Sequence, residues 1–380
     1  MSMLRIVGVL LGITLLTGAC STYQTRESVG EVSSVRGAVA LVRDGENHRV
    51  VGTAEVRAGD VLSVADDSVG RLVLRSGSEI ELHTSRLKVS DEDAVELEEG
   101  TVLVASTVAT EVRAARVIAT AGPGEVRFDL AETLRVGAYD IDGLRLASTG
   151  DDVEVPRYWQ AVYAADGTVM GAGPLQFSGS DAIDRRLLAP ALQIDSQLSN
   201  LLRGLEPQLA VAGESFVADR AMDQGIDPAT VAAFADSPKA DLLVALVFSR
   251  QETGSLPVGP SERFGLSLYL RGLGASWGLL AQQFSLSGDA LLAGLEEEIA
   301  AVLFPPEQEV SSGGELVPRR VAPPPPPSPA PSPGPQEPES PQEPESPESP
   351  DPLLDPLRPL LPEELERIVD ELFGLVDNLL

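Results

Sequence analysis

The sequence predicts a multidomain protein in which an all-β domain is followed by an α/β (α+β) domain, a disordered proline-rich linker and a C-terminal amphipathic helix. Three observations support this prediction. Between residues 28 and 148, short apolar runs alternate with polar residues and are separated by Gly and Asp turn signals, as in a β sandwich, barrel or solenoid. Residues 185–304 mix helical and strand-like periodicities. After residue 304 the composition changes to Pro, Glu and Ser, which cannot bury a core.

The chain begins with the pattern of an export signal. A single positive charge, Arg5, precedes an apolar run from Ile6 to Leu16. This run has the length of a signal-peptide core and is too short to span a bilayer as a mature helix. We therefore expect residues 1–19 to be a signal peptide and the remaining chain to be exported.

Cys20, the one cysteine in the sequence, ends a short motif behind this run. Thr17-Gly18-Ala19-Cys20 resembles the lipobox of bacterial lipoproteins, although Thr17 fills the place in which that family usually has Leu. The resemblance implies a diacylglycerol on Cys20 and a tether over residues 20–27. Ser21, where Asp would signal retention, implies the outer membrane. The alternative is ordinary secretory cleavage near Ala19, which would leave a free thiol.

Composition limits the classes of partner. The formal net charge is −30 over 380 residues, which disfavours nucleic acid and anionic lipid surfaces because both would repel the protein. One cysteine allows no intramolecular disulfide, so the domains must be held by packing. The length is sufficient for two ordinary cores plus linkers.

The elements of the first domain, residues 28–148, are short. Turns are expected at Asp44-Gly45, Ser76-Gly77 and Glu99-Gly100, and a further hairpin turn at Asp140 to Gly143. The apolar positions that alternate between these turns are Val29, Val32, Val35, Val39, Leu41, Val61, Leu62, Leu72, Leu74, Ile80, Leu82, Val95, Leu97, Val102 and Val104.

Four stretches of this domain resemble the FecR domain over residues 28–130. They are Val29-Gly30-Glu31-Val32, Val56 to Leu62, Ser68 to Leu82, and Leu97 to Val102. The resemblance implies a periplasmic β module for protein or glycan interaction. FecR proteins that regulate sigma factors carry a cytoplasmic segment before a membrane helix, whereas here the apolar run starts at Ile6. We therefore expect the regulatory role not to carry over.

Residues 149–184 are predicted to be a connecting β segment, and residues 185–304 an α/β domain. Amphipathic helices are expected between Leu187 and Leu205, interrupted near Pro190, and a short helix from Asp227-Pro228. The continuous apolar run Leu242 to Phe248 is typical of a strand buried on both faces.

The rest of this second domain continues the mixed pattern. Phe264 to Leu270 alternates as a strand does, and Asp289 caps a final helix. The order of elements, with Ala240 to Leu246 as the central strand, resembles the small α/β domain at the amino terminus of TolB. This resemblance implies assembly and docking, not catalysis.

No motif stands in the context that its chemistry requires. His48 and His83 have no metal-ligand spacing, so neither a metal nor another cofactor is predicted. Gly274 to Gly278 matches the Gly-x-Ser-x-Gly elbow around Ser276, but a strand-like run follows the serine and both histidines precede it. Acid-base catalysis on glycan through Asp60 and Glu81 would rest only on the abundance of acidic residues.

The last two predicted segments are a linker and a short amphipathic helix. Residues 305–360 are rich in Pro, Glu and Ser. The prolines favour an extended polyproline helix, which lets this linker span a long distance. Residues 361–380 begin a helix at Pro362 and carry an apolar stripe opposite an acidic face. The residues of this stripe predicted to bind a partner are Leu365, Ile368, Val369, Leu372, Phe373 and Val376.

These patterns together predict a non-catalytic envelope lipoprotein that acts as an interaction or scaffold module in the periplasm or at the cell surface. Its predicted partners are the membrane, through the lipid anchor, and an envelope protein or glycan, with homo-oligomerisation through the C-terminal helix as a further option. An envelope glycan-binding or glycan-processing protein is the first alternative. A signalling regulator related to FecR is the second.

Overall fold

The structure is a computed structural model that describes residues 27–141, 144–148, 152–211, 215–251 and 259–303. The predicted lipidation at Cys20, the proline-rich linker, and the stripe from Leu365 to Val376 lie outside the described residues and stay predictions. In the described residues, no helix is long and apolar enough to cross a membrane.

The described chain forms two compact units. The β unit comprises residues 27–189 with 273–275, and the helical unit comprises residues 190–272 with 276–303. The predicted order, an all-β domain followed by a second domain, is therefore confirmed in outline. The second domain differs from the prediction in its class, as shown below.

Strands account for most of the β unit. They are β1 Ser28–Arg36, β2 Val39–Arg43, β3 Glu46–Arg49, β4 Thr53–Arg57, β5 Val61–Val64, β6 Val69–Leu74, β7 Glu79–Val89, β8 Ala94–Ser106, β9 Thr110–Ala114, β10 Val117–Ala121, β11 Gly124–Leu130, β12 Thr133–Ile141, β13 Leu144–Ala147, β14 Asp152–Val155, β15 Trp159–Ala164 and β16 Val169–Pro174.

The described strands form one 16-stranded sheet, which folds into two layers that share the long hairpin β7–β8. One layer has the order β4-β1-β6-β7-β8-β11-β12-β15-β16, and the other β3-β2-β5-β7-β8-β9-β10-β13-β14. The pairing of β8 with β9 is parallel, and the other described pairings are antiparallel. A Cβ on Gly70 of β6 would lie 3.2 Å from Val39 Cγ2 of β2, so the layers pack face to face.

A bend within β7 and β8 lets one hairpin serve both layers. Residues 79–83 of β7 pair with β6, and residues 86–88 pair with β5. At the bend, Thr84 has φ 39° and Gly100 has φ 91°. A Cβ on Gly100 would lie 2.0 Å from the Thr84 carbonyl oxygen, so this position needs glycine. Glu99-Gly100, predicted as a turn, therefore lies inside β8, where the register of its pairing with β7 shifts.

Other local predictions in the β unit have mixed outcomes. Asp44-Gly45 does join β2 and β3, with φ values of 52° and 84° that fit a tight hairpin turn. The hairpin expected around Asp140 is wrong, because β12 pairs with β11 and β15 whereas β13 pairs with β10 and β14. The segment predicted to connect the domains supplies β14, β15 and β16, which belong to the β unit.

Helices begin where the sheet ends. They are α1 Ala182–Leu187, α2 Ala189–Leu202, α3 Glu206–Val211, α4 Ser215–Asp223, α5 Pro228–Ala233, α6 Lys239–Arg250, α7 Pro260–Gly272, α8 Trp277–Gln283 and α9 Gly288–Leu303. The break before Pro190 is confirmed. So is the Asp227 N-cap, whose Oδ1 accepts a hydrogen bond from Ala229 N at 2.8 Å.

The α/β class predicted for residues 185–304 is wrong, because the described part of this region contains helices and no strand. The expected central strand, Leu242 to Phe248, lies inside α6, where all seven residues are buried. The expected alternating strand, Phe264 to Leu270, lies inside α7 and is likewise buried throughout. An apolar run without a polar face fits a buried helix as well as a buried strand, so periodicity did not separate them.

Candidate functional site

Arg127 of β11 is the centre of a buried ionic cluster in the β unit. Its side chain contacts three carboxylates: Nε lies 2.9 Å from Asp129 Oδ1, Nη2 3.1 Å from Asp181 Oδ2, and Nη1 3.2 Å from Asp184 Oδ1. Arg127 is 8% exposed and Asp184 is 3% exposed. Asp181 caps α1 and Asp184 lies in its first turn, so this Arg127 cluster binds α1 to the sheet.

Two further hydrogen bonds to Asp184 complete the attachment of α1. Tyr139 of β12 donates its hydroxyl to Asp184 Oδ1 at 2.5 Å, and Ser178 N donates to Oδ2 at 2.7 Å. Burial, together with the adjacent Asp184 carboxylate, raises the pKa of Tyr139. Burial opposes the charge of Arg127, but the neighbouring carboxylates outweigh it and raise the pKa of that guanidinium. The pKa values of Tyr139 and Arg127 are thereby moved further from neutral pH, and both side chains have fixed partners, which favours a structural role over catalysis.

A second polar group lies around Glu81 of β7. His83 Nε2 is 2.6 Å from Glu81 Oε1, and Arg186 Nη2 of α1 is 2.8 Å from Oε2. The hydrogen bond from His83, followed by the contact with Arg186, lowers the pKa of Glu81 to about 2. Burial and the charge of Asp140 raise the pKa of Glu125 on β11. Glu81 and Glu125 are thus two half-buried carboxyls with pKa values displaced in opposite directions.

Asp60, the other carboxylate considered for acid-base chemistry, has a different environment. Arg43 Nη2 lies 2.6 Å from its Oδ2, and Arg57 N donates to the same oxygen at 2.8 Å. Asp60 is 2% exposed. It holds the turn between β4 and β5 to β2, and its described contacts do not include Glu81. The structure therefore gives Asp60 no role beside Glu81.

The two histidines lie in different surroundings. His48 lies on β3, whose residues are all exposed, and His83 belongs to the Glu81 group. Within the described residues, no group of three or more His, Cys, Asp or Glu side chains is arranged to hold a metal ion.

Ser276 of the Gly-x-Ser-x-Gly string is the N-cap of α8. Its Oγ accepts a hydrogen bond from Leu279 N at 3.1 Å. A helix follows it directly, so the strand expected there from sequence is wrong. Asp195 of α2 accepts from Gly278 N at 2.7 Å and also contacts Ser276, and burial raises its pKa. The helix α7 precedes this turn instead of the strand that a nucleophile elbow requires. The string therefore caps and packs a helix.

Among the described residues of the helical unit, Glu298 of α9 is a fully buried carboxylate. Arg220 of α4 contacts it in bidentate fashion, Nε to Oε2 and Nη2 to Oε1, both at 2.9 Å. Arg250 of α6 forms a further ion pair with Oε1, and Gln224 Nε2 donates to the same atom at 3.3 Å. Glu298 is 0% exposed. These contacts join three helices that periodicity alone did not place together.

An apolar groove of about 520 Å³ opens between α4, α5 and the start of α6. We call it the α4–α5 groove. Met222 on its wall is 52% exposed, whereas Val217 and Leu242 are 6% and 5% exposed. Its lining residues are Val217, Ala218, Met222, Pro228, Val231, Ala232, Ala235, Asp236, Lys239 and Leu242. Its volume falls within the range of small-molecule pockets.

Sequence reasoning missed both the Arg127 cluster and the groove. A signal for the first exists in the strand Val126 to Leu130, where Arg127 and Asp129 occupy one face of an otherwise apolar strand. The groove was missed because α6, which supplies Lys239 and Leu242 to it, was predicted to be a strand.

Comparison with known proteins assigns no family to this chain. No family model and no curated protein matches this chain. Two solved structures of a candidate anti-sigma factor from Parabacteroides distasonis ATCC 8503 are similar to part of it, both at 13% identity. One covers 30% of this chain and 60% of its own length with a TM-score of 0.27; the other covers 37% and 72% with a TM-score of 0.28. The chain thus spans less than two thirds of the first, and likeness at this level assigns no function.

Proposed function

We propose that this protein is an exported, lipid-anchored interaction module of the bacterial envelope whose folded units are not catalytic. One observation carries the proposal. The buried ionisable residues Asp60, Arg127, Asp184 and Glu298 are each engaged by fixed partners that join secondary-structure elements. Charges engaged in this way have structural partners in place of a substrate, and the α4–α5 groove offers an accessible binding surface.

The anchor in this proposal is Cys20. A single acyl chain binds membranes only marginally, at about 0.8 kcal/mol per buried methylene, so stable anchoring needs two or more chains. The diacylglycerol of a lipoprotein satisfies that requirement, and the acidic chain would gain nothing from anionic lipid. We place the anchor in the outer membrane and assign partner binding to the stripe from Leu365 to Val376.

The anchor is tested with Cys20→Ala. We expect this variant to leave the membrane fraction or to remain unprocessed, because Cys20 is the one cysteine in the sequence. Ser21→Ala is the matched control and should fractionate as the wild type does. Unchanged fractionation and unchanged mass of Cys20→Ala would refute the lipoprotein assignment.

A second candidate, an envelope glycan-processing protein, is favoured by one observation. Glu81 has a pKa of about 2 while burial raises the pKa of Glu125, and opposite shifts of two nearby carboxyls are the pattern of a base and an acid in glycosidases. This pair replaces the combination of Asp60 with Glu81. The regulator related to FecR remains a prediction from sequence.

Purified protein incubated with peptidoglycan or another envelope polysaccharide separates the two candidates. The scaffold proposal expects no turnover by the wild type. Glycan processing expects turnover that Glu125→Gln abolishes, with Glu111→Gln, a half-exposed carboxyl elsewhere on the β unit, as the matched control. Turnover with that dependence would overturn the non-catalytic proposal.

A further inference from the structure

The α4–α5 groove has the form of a helix-binding site. Two helices and the first turn of a third line it, its floor is apolar, and the Met222 side chain stands half exposed at its wall. Methionine is common at such surfaces because its flexible thioether adapts to an incoming side chain. Amphipathic helices bind grooves of this kind through side chains at i, i+3, i+4 and i+7.

We propose that the chain's own C-terminal segment, residues 361–380, binds the α4–α5 groove in cis as an amphipathic helix. Its stripe presents Leu365, Ile368, Val369, Leu372 and Phe373 at helical spacing. This inference rests on the proposed function in one respect, because it uses the stripe assigned there to partner binding. It adds the site on the same molecule to which that stripe binds.

Chain connectivity favours this occupant over a second copy. The described chain ends at Leu303, which belongs to the same helical unit as the groove. About 60 residues separate Leu303 from the predicted helix, and a chain of that length has a root-mean-square span of at least roughly 40 Å, which its prolines increase. A compact unit of about 100 residues has a radius of gyration of about 13 Å, so every face of it is within reach.

The same connectivity sets the effective concentration. Short flexible linkers give values of order millimolar, and the value falls roughly as the −3/2 power of length. With a linker of about 60 residues, a second copy at micromolar concentration is at a disadvantage of roughly tenfold to a hundredfold. An isolated helix of this length is marginal in water, so its folding would be coupled to docking.

The charges at the rim of the groove are complementary to those of the segment. Lys239, one of two lysines in the sequence, and Asp236 both line the groove. The segment is acidic apart from Arg367. Its acidic face can pair with Lys239, and Arg367 is the single base available to Asp236.

Docking in cis has a consequence for the proposed function. The stripe that would bind an envelope partner is covered while it lies in the groove. A partner must then compete with the groove for Leu372 and Phe373.

The test measures alkylation of a thiol in the groove of the full-length Cys20→Ala protein, which has no other cysteine. Met222→Cys places the thiol on the groove wall, and maleimide is the probe. We expect the thiol to react at least tenfold more slowly than in the same protein carrying Leu372→Asp and Phe373→Asp. Met170→Cys, at a residue 63% exposed on β16, is the matched control and should react equally in both.

Each outcome decides the inference. Protection that is independent of protein concentration, and that Lys239→Glu weakens, supports docking in cis. Protection that increases with protein concentration means that a second copy occupies the groove and overturns it. Equal rates with and without the two Asp substitutions also overturn it. None of these results depends on the anchor, so failure here is distinct from failure of the fractionation test with Cys20→Ala.

Discussion

Glu298 provides the sharpest test of how the helical unit is held together. It is a carboxylate with no exposed surface, bound by Arg220 and Arg250 from two other helices and by Gln224, which follows α4. Glu298→Gln preserves its size but removes the charge and replaces one accepting oxygen with a donor. One arginine then loses its acceptor, and the donor amide faces guanidinium groups.

The expected loss follows from these contacts. A hydrogen bond to a charged group contributes about 1.5 to 3 kcal/mol. The Arg220 and Arg250 side chains are 28% and 29% exposed, so water can solvate them in part after the change. We therefore expect Glu298→Gln to lower the free energy of unfolding of the helical unit by about 2 to 3 kcal/mol. Glu297→Gln, whose side chain is 68% exposed, should stay within about 0.5 kcal/mol of the wild type.

Urea unfolding followed by tryptophan fluorescence measures the difference. The two tryptophans are Trp159 in the β unit and Trp277 in the helical unit. In a Trp159→Phe background, the emission of the buried Trp277 reports the helical unit alone. If Glu298→Gln unfolds at the urea concentration of the wild type, or if Glu297→Gln is equally destabilised, the buried ion pairs do not hold these helices together.

Two further predictions concern pH and packing. The folded-state pKa of Glu81, about 2, lies below the unfolded value of about 4.3, so its contribution is present above pH 4.3 and is lost as the pH falls toward 2. Glu81→Gln should therefore be less stable than the wild type at pH 7, by on the order of 1 kcal/mol after solvent screening, and the gap should close by pH 2 in thermal unfolding; a gap independent of pH would contradict this. A Cβ on Gly278 would lie 2.0 Å from the Ala191 carbonyl oxygen, so Gly278→Ala should lower stability by about 1 to 3 kcal/mol. Gly272→Ala, at a position with open space, should not lower the melting temperature; equal losses would refute the packing argument.

Local sequence patterns predicted the structure correctly where a single strand, helix start or turn determines it. Strands alternate in burial because one face of each layer is covered, and this period-two signal predicted the β unit. Asp227 followed by Pro228 predicted a helix start. The Asp side chain accepts a hydrogen bond from a free backbone N–H of the first turn, and Pro at the first helical position has a fixed helical φ and no N–H to satisfy. Asp44-Gly45 predicted a hairpin because that turn requires left-handed backbone at both positions.

Tertiary structure alone decided the class of the helical unit and the composition of its sites. Leu242 to Phe248 has no polar face in sequence, so only its neighbours determine whether it forms a helix or a strand. Arg127 and Asp184 are 57 residues apart and meet because α1 covers β11. Sequence determined where the chain alternates, turns and starts its helices, because those signals are local. Which charges are buried together, and where a groove opens, depends on contacts between distant elements, which no local pattern encodes.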